Sequence, residues 1–180
     1  GNMLVSQDDV LTQFIAKDQT ALFNLIKDKK TSYEDAGNFA SQIEEKYESH
    51  DLEKLGMLAI EAFTKLNTPF SDQLSFSIHL KFYFFISPFI VALPNLAKPF
   101  SPLTHRIVDG LSKLPSDEWV LKVLNQFPIP IIELVVEQLA NFEKISSSQK
   151  RNQYCKLFNL VRKKEASASA QNVRFVVSQL

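Results

Sequence analysis

The side chains best suited by type to do chemistry are seven cations near the C-terminus: Lys150, Arg151, Lys156, Arg162, Lys163, Lys164 and Arg174. Glu165 is the one acid among residues 149–180, so this end carries a net charge of +6. Cations at this density suit contact with phosphate, because each one that replaces a counterion on a polyanion releases it to solution. On a single helix, Arg151 and Arg162 would share one stripe and Lys156 and Lys163 another, which spreads the charge around the axis. Neither an aromatic ribonucleoprotein motif nor a Gly-x-x-Gly clamp accompanies them. RNA would therefore be met through its backbone, and the same residues could equally pair with an acidic partner surface or face solvent.

No other grouping has the spacing that catalysis or metal binding needs. His50, His79 and His105 are far apart in the chain and form no His-x-x-x-His pair, and the single Cys155 rules out Cys-x-x-Cys. With four Gly, one of them the first residue, no glycine-rich loop exists for backbone amides to cradle a phosphate. Glu44 with Glu45 and Asp117 with Glu118 read as solvated or first-turn acids rather than an acid–base pair. Lys156 beside Cys155 could favour the thiolate, although an inert cysteine is the simpler reading. The expectation is a non-enzyme with no cofactor and no metal site.

Overall charge is zero, but the charge is unevenly distributed: residues 1–68 hold seven Lys against twelve Asp or Glu. An acidic start and a basic finish fit a chain whose ends meet different partners or attract one another. At 180 residues, 45% apolar with fifteen Phe, the chain can bury a sizeable core. One cysteine allows no internal disulfide and no secretory leader precedes the body, which points to a reducing compartment and a cytoplasmic home. Residues 173–180 stop in an apolar-periodic run without a helix stop signal, so the chain is expected to be the N-terminal part of something longer.

The elements that must position these residues are helices. Few Gly, and Pro confined to residues 69–130, favour an all-α protein with short corners. Val10, Leu11, Phe14, Ile15, Leu22, Leu25 and Ile26 form a first stripe, closed by Lys29 and Lys30. Ser32 with Asp35 imitates a capping box and opens a second, Ala36 to Tyr47 in register; His50 and Asp51 open a third that ends before Pro69. Residues 74–93 fit both an alternating strand and a helix. A strand would lack a partner, so a buried helix, bent or ended at Pro88, is preferred. Lys81, His79 and Pro88 fall inside any membrane-length window there, which argues for a core helix and against a membrane span. Further helices are expected over 102–113, 116–126, 130–143, 147–164 and 168–180, giving one helical-repeat domain over 1–180. Its helix pairs are expected to stack antiparallel as a right-handed solenoid or an irregular bundle.

Several runs resemble a known family. Val136-Glu137-Gln138-Leu139-Ala140-Asn141-Phe142, Arg151-Asn152-Gln153, Leu157-Phe158-Asn159-Leu160 and Asn172-Val173-Arg174-Phe175 are similar to the helical repeats preceding the PCI module in the m-subunit family of eukaryotic translation initiation factor 3. The run Asp18-Gln19-Thr20-Ala21-Leu22-Phe23-Asn24-Leu25-Ile26-Lys27 resembles that family's first helix. The resemblance covers about a third of the chain, leaves residues 70–130 unmatched and includes no winged helix. It implies a HEAT- or PCI-like scaffold that holds other helical subunits of a cytoplasmic complex in translation initiation. The alternative is an RNA-binding helical module that uses the seven basic residues.

Overall fold

A computed structural model describes residues 11–70 and 72–179, with side chains described as far as residue 166. Among the described residues every regular element is helical and none is a strand, which establishes the all-α class. A π-helical turn, Phe14–Asp18, leads into α1 (Gln19–Lys27), followed by α2 (Tyr33–Lys46), α3 (Ser49–Lys65) and α4 (Gln73–Ala92). Then come α5 (Ala97–Ser112), α6 (Asp117–Leu124), α7 (Ile129–Leu139) and α8 (Ser148–Gln179). The chain packs as two compact units, Gly1–Ser101 and Pro102–Leu180, divided within α5. The sequence reading expects one helical-repeat domain over 1–180.

In the first unit α4 is the centre. From His79 to Ile90 it is buried on nearly every side, as a helix apolar all round must be, and it packs against α1, α2 and α3. Helix thus prevails over strand for residues 74–93. The helix does not end at Pro88: the missing N–H forfeits one bond, to the Phe84 carbonyl, while buried Phe85, Ile86, Phe89 and Ile90 on either side hold the turn closed to Ala92. Its rings stack in series. Phe82 lies parallel to Phe63 of α3 at 4.2 Å, Phe85 meets Phe39 of α2 at 6.0 Å, and Tyr83 meets Phe100 edge-on at 5.9 Å. By length and composition α4 is the one described helix able to cross a membrane, but here its apolar surface is spent on its own unit.

Caps and a buried carboxylate fix the neighbours of α4. Ser32 and Asp35 form the expected capping box, with Oγ accepting from Asp35 N at 3.1 Å and Oδ2 from Ser32 N at 2.9 Å. Hydrogen bonding to the carboxylate, first from the Ser32 backbone N–H and then from the Ser32 hydroxyl, holds the Asp35 carboxyl below its ordinary range. Asp18 is buried and accepts from Lys46 Nζ at 2.9 Å and from the Tyr47 hydroxyl, so the end of α2 is fastened to the turn before α1. Gly56 of α3 lies where a Cβ would come within 2.7 Å of the Leu96 Cδ1, so any larger residue there would require the buried Leu96 side chain to shift.

In the second unit α8 packs on α6 and α7. Leu103, Ile107, Val108 and Leu111 are buried, as are Val120, Leu124, Ile131, Val135 and Leu139. Two boundaries differ from the sequence reading. The helix expected over 102–113 begins at Ala97: Pro99 falls in the first turn, where no helical N–H is needed, and Pro102 loses only its bond to the Lys98 carbonyl. The two helices expected over 147–164 and 168–180 are one, because residues 165–171 contain no Gly or Pro and three Ala, the best helix former.

Phe82→Ala removes a fully buried ring and the stacked pair with Phe63, and should lower unfolding stability by about 3–5 kcal/mol. Urea unfolding followed by circular dichroism measures it; a loss below about 1 kcal/mol would mean that α4 is not the packing centre.

Candidate functional site

The basic residues chosen from sequence lie on α8, and the structure assigns them different tasks. Ser147 starts the helix, its carbonyl accepting from Arg151 N at 2.9 Å. Tyr154, Leu157 and Val161 are buried at three- and four-residue spacing, the seam on which the helix sits against its unit. Arg151 is half-buried and its Nη1 donates to the Ile145 carbonyl at 3.0 Å, tying α8 to the turn Phe142–Lys144. Lys156 Nζ stands 3.5 Å from Asp117 Oδ1 at the first turn of α6, both side chains more than half exposed. Lys150 lies over the Tyr154 ring and Arg162 over the Phe158 ring, each at 5.8 Å.

That leaves Lys163, exposed, and Lys164, half-exposed, with no hydrogen bond or ion pair among the described residues. Arg174 belongs to α8 by its backbone, and its side chain lies outside the described residues. The set is therefore not one patch. Two members secure the unit, two rest on rings of their own helix, and two present unpaired charge next to each other. Beside the Lys156–Asp117 pair a cavity of about 200 Å³ is lined by Ser112, Ser116, Gln153 and Leu160. Burial first, then the charge of Asp109, pushes the Tyr154 phenol up from its ordinary value.

The histidines do structural work. His79 is wholly buried in α4, with Nε2 2.8 Å from the Thr68 carbonyl and Nδ1 2.5 Å from the Tyr83 hydroxyl. A carbonyl can only accept, so Nε2 carries the hydrogen, and in the neutral ring Nδ1 accepts from Tyr83. Phe63 and Phe70 pack edge-on against the imidazole. His105 lies 3.2 Å from Gln138 Nε2 in the second unit. His50 is exposed, 3.7 Å from Asp51 Oδ2. No cluster of His, Cys, Asp or Glu among the described residues could hold a metal ion.

Sequence reasoning missed Lys81. It sits in the apolar heart of α4, 3% exposed, with Nζ donating to the Asp28 carbonyl at 2.6 Å. No carboxylate forms an ion pair with it among the described residues. Desolvation pulls its pKa below the ordinary lysine value, a shift that the charge of Asp28 partly opposes. Lys81 also lines a cavity of about 320 Å³ together with Lys27 and Lys29. The available signal was a lone cation within an apolar run, which was weighed only against a membrane span.

No protein-family model, curated protein or solved structure matches this chain. The similarity to the initiation-factor subunit rests on the runs quoted above.

Two outcomes follow from this geometry. A double-mutant cycle on Asp117 and Lys156 should give a coupling below about 1 kcal/mol that shrinks further in 1 M salt, since the pair is exposed. For Lys81, the folded pKa is below the unfolded one, so the unfolded chain binds more protons between the two. Stability should therefore rise with pH through that window, up to the ordinary lysine value of 10.5, and Lys81→Met should remove that rise. Unfolding curves collected from neutral pH to pH 11 in both proteins test the sign.

Proposed function

We propose that this chain is a non-catalytic interaction scaffold of a cytoplasmic multi-subunit complex in translation initiation, holding other helical subunits. Its helix pairs are arranged on this reading as a PCI-like right-handed solenoid. The observation that carries it is the outer face of α8, a helix of 32 residues anchored by Tyr154, Leu157 and Val161. That face presents Lys163 and Lys164 unpaired among the described residues. Exposed charges at the rim of a contact speed and select encounters with an acidic partner. The acidic excess of residues 1–68, opposite in sign to the basic end, fits a chain that meets a different neighbour there.

RNA contact is the second reading, favoured by the same two lysines. Arg151 and Lys156 are already engaged within the unit, so it would draw on fewer phosphate contacts than the seven cations suggest.

Affinity purification of the full-length protein from its own cytosol should recover helical subunits of an initiation complex, and Lys163→Glu/Lys164→Glu should reduce that recovery several-fold. Recovery of the polypeptide alone would overturn the scaffold. The RNA reading expects the same double variant to weaken single-stranded RNA binding, with two phosphate contacts giving a log–log salt slope near about −1.4. Indifference to both charge and salt rejects it.

A further inference from the structure

We propose that the first unit carries a binding site for a small phosphorylated molecule, in the cavity of about 320 Å³ between the end of α1 and the first turns of α4. Three of its lining residues are lysines: Lys27 and Lys29, both exposed, and Lys81 at the buried end. Ser77 and Gln73 add a hydroxyl and an amide that can donate. No acidic side chain lines the cavity among the described residues.

A buried lysine is the informative part. A cation placed among phenylalanines costs stability unless something pays for its lost hydration, and here one backbone carbonyl takes one of its three hydrogens. That same carbonyl already accepts from Thr31 N at 3.2 Å, so the loop does not need Lys81 to satisfy it. The other two hydrogens of the ammonium have no acceptor among the described residues, and Lys81 is one of the residues that line the cavity. An oxyanion there would supply the missing charge, as lysine does when it serves phosphate as a compact point charge.

The charge balance selects the ligand class. Asp28 stands between the two exposed lysines and offsets one of the three cations, although its Oδ1 is engaged by Lys30 N at 2.9 Å. A net surplus of two suits the dianion of a phosphate monoester better than a monocarboxylate. Asp72 caps α4 through Ser75 N at 2.9 Å, so the helix terminus is occupied and the lysines carry the recognition. The remaining wall is apolar, Ile78 and the half-exposed Leu74, which offers apolar surface to a ring or carbon chain attached to the phosphate. The volume lies at the small end of ligand sites, enough for one such molecule.

Calorimetric titration of the full chain with phenyl phosphate, inorganic phosphate and benzoate at fixed ionic strength tests this. Phenyl phosphate should bind saturably, inorganic phosphate more weakly and benzoate least. Lys81→Met and, separately, Lys27→Glu/Lys29→Glu should each weaken phenyl phosphate by about tenfold or more, while Lys54→Glu on exposed α3 leaves it unchanged. The double variant alters only exposed residues, so it remains informative if Lys81→Met fails to fold. Saturation absent at millimolar phenyl phosphate, benzoate binding as tightly, or wild-type affinity in the exposed double variant would each overturn the proposal.

Discussion

The first unit depends on one constraint: α4 is apolar on every face and must be surrounded. A helix with a single apolar stripe can lie on a surface, but one whose residues from His79 to Ile90 are almost all buried needs neighbours on all sides. The helices α1, α2 and α3 supply them, and each is amphipathic so that it can close over α4 with one face and meet water with the other. The aromatic content follows from this geometry. Phe, with a large area and only two side-chain torsions, fills the space between crossing helices at modest entropic cost, and parallel stacking of Phe63 on Phe82 places two such surfaces in full contact.

A buried helix of twenty residues also brings polar atoms inside, and each is answered locally. His79 is held between a loop carbonyl and a phenol one turn away, and Ser87 donates back to the Tyr83 carbonyl at 2.6 Å. These bonds cost no additional chain ordering, since the partners are already fixed by the helix or by the corner at Thr68. Lys81 differs in kind, because its partner is a carbonyl that has another donor and no carboxylate forms an ion pair with it among the described residues. Beside the neutral pairs that satisfy His79 and Ser87 on the same helix, that asymmetry is what favours the proposed ligand site.

The local grammar of the fold was legible in the sequence. Ser32 with Asp35 and Ser116 before Asp117 marked helix starts, because capping is a matter of three or four consecutive residues. Residues 74–93 were ambiguous for a physical reason: a helix buried all round has no polar stripe to reveal its period, so its alternating Phe and polar residues imitate a strand. The proline boundaries at Pro88 and Pro102 misled for another. Loss of one backbone bond is decided by what packs around it, and packing is not local. Lys81 was hidden for the same reason, since its hydrogen-bond partner, the Asp28 carbonyl, is 53 residues away in the chain.

The seven C-terminal cations show how a charge count overstates a binding surface. Sequence places them within one stretch, but a helix sends them to different sides, and the seam that anchors α8 decides which remain available. Arg151 completes the turn before the helix, where a guanidinium reaches a backbone carbonyl that would otherwise face the protein without a donor. Lys156 answers Asp117, the acid that the dipole of α6 favours at its first turn. Lys150 and Arg162 cover rings of their own helix, which keeps their stems packed and their charged ends outward. Among the described residues, what is left for a partner is the adjacent pair Lys163 and Lys164, and a contact made by two rim charges sets orientation and encounter rate more than affinity. Tight association along this helix would therefore need apolar surface as well as charge.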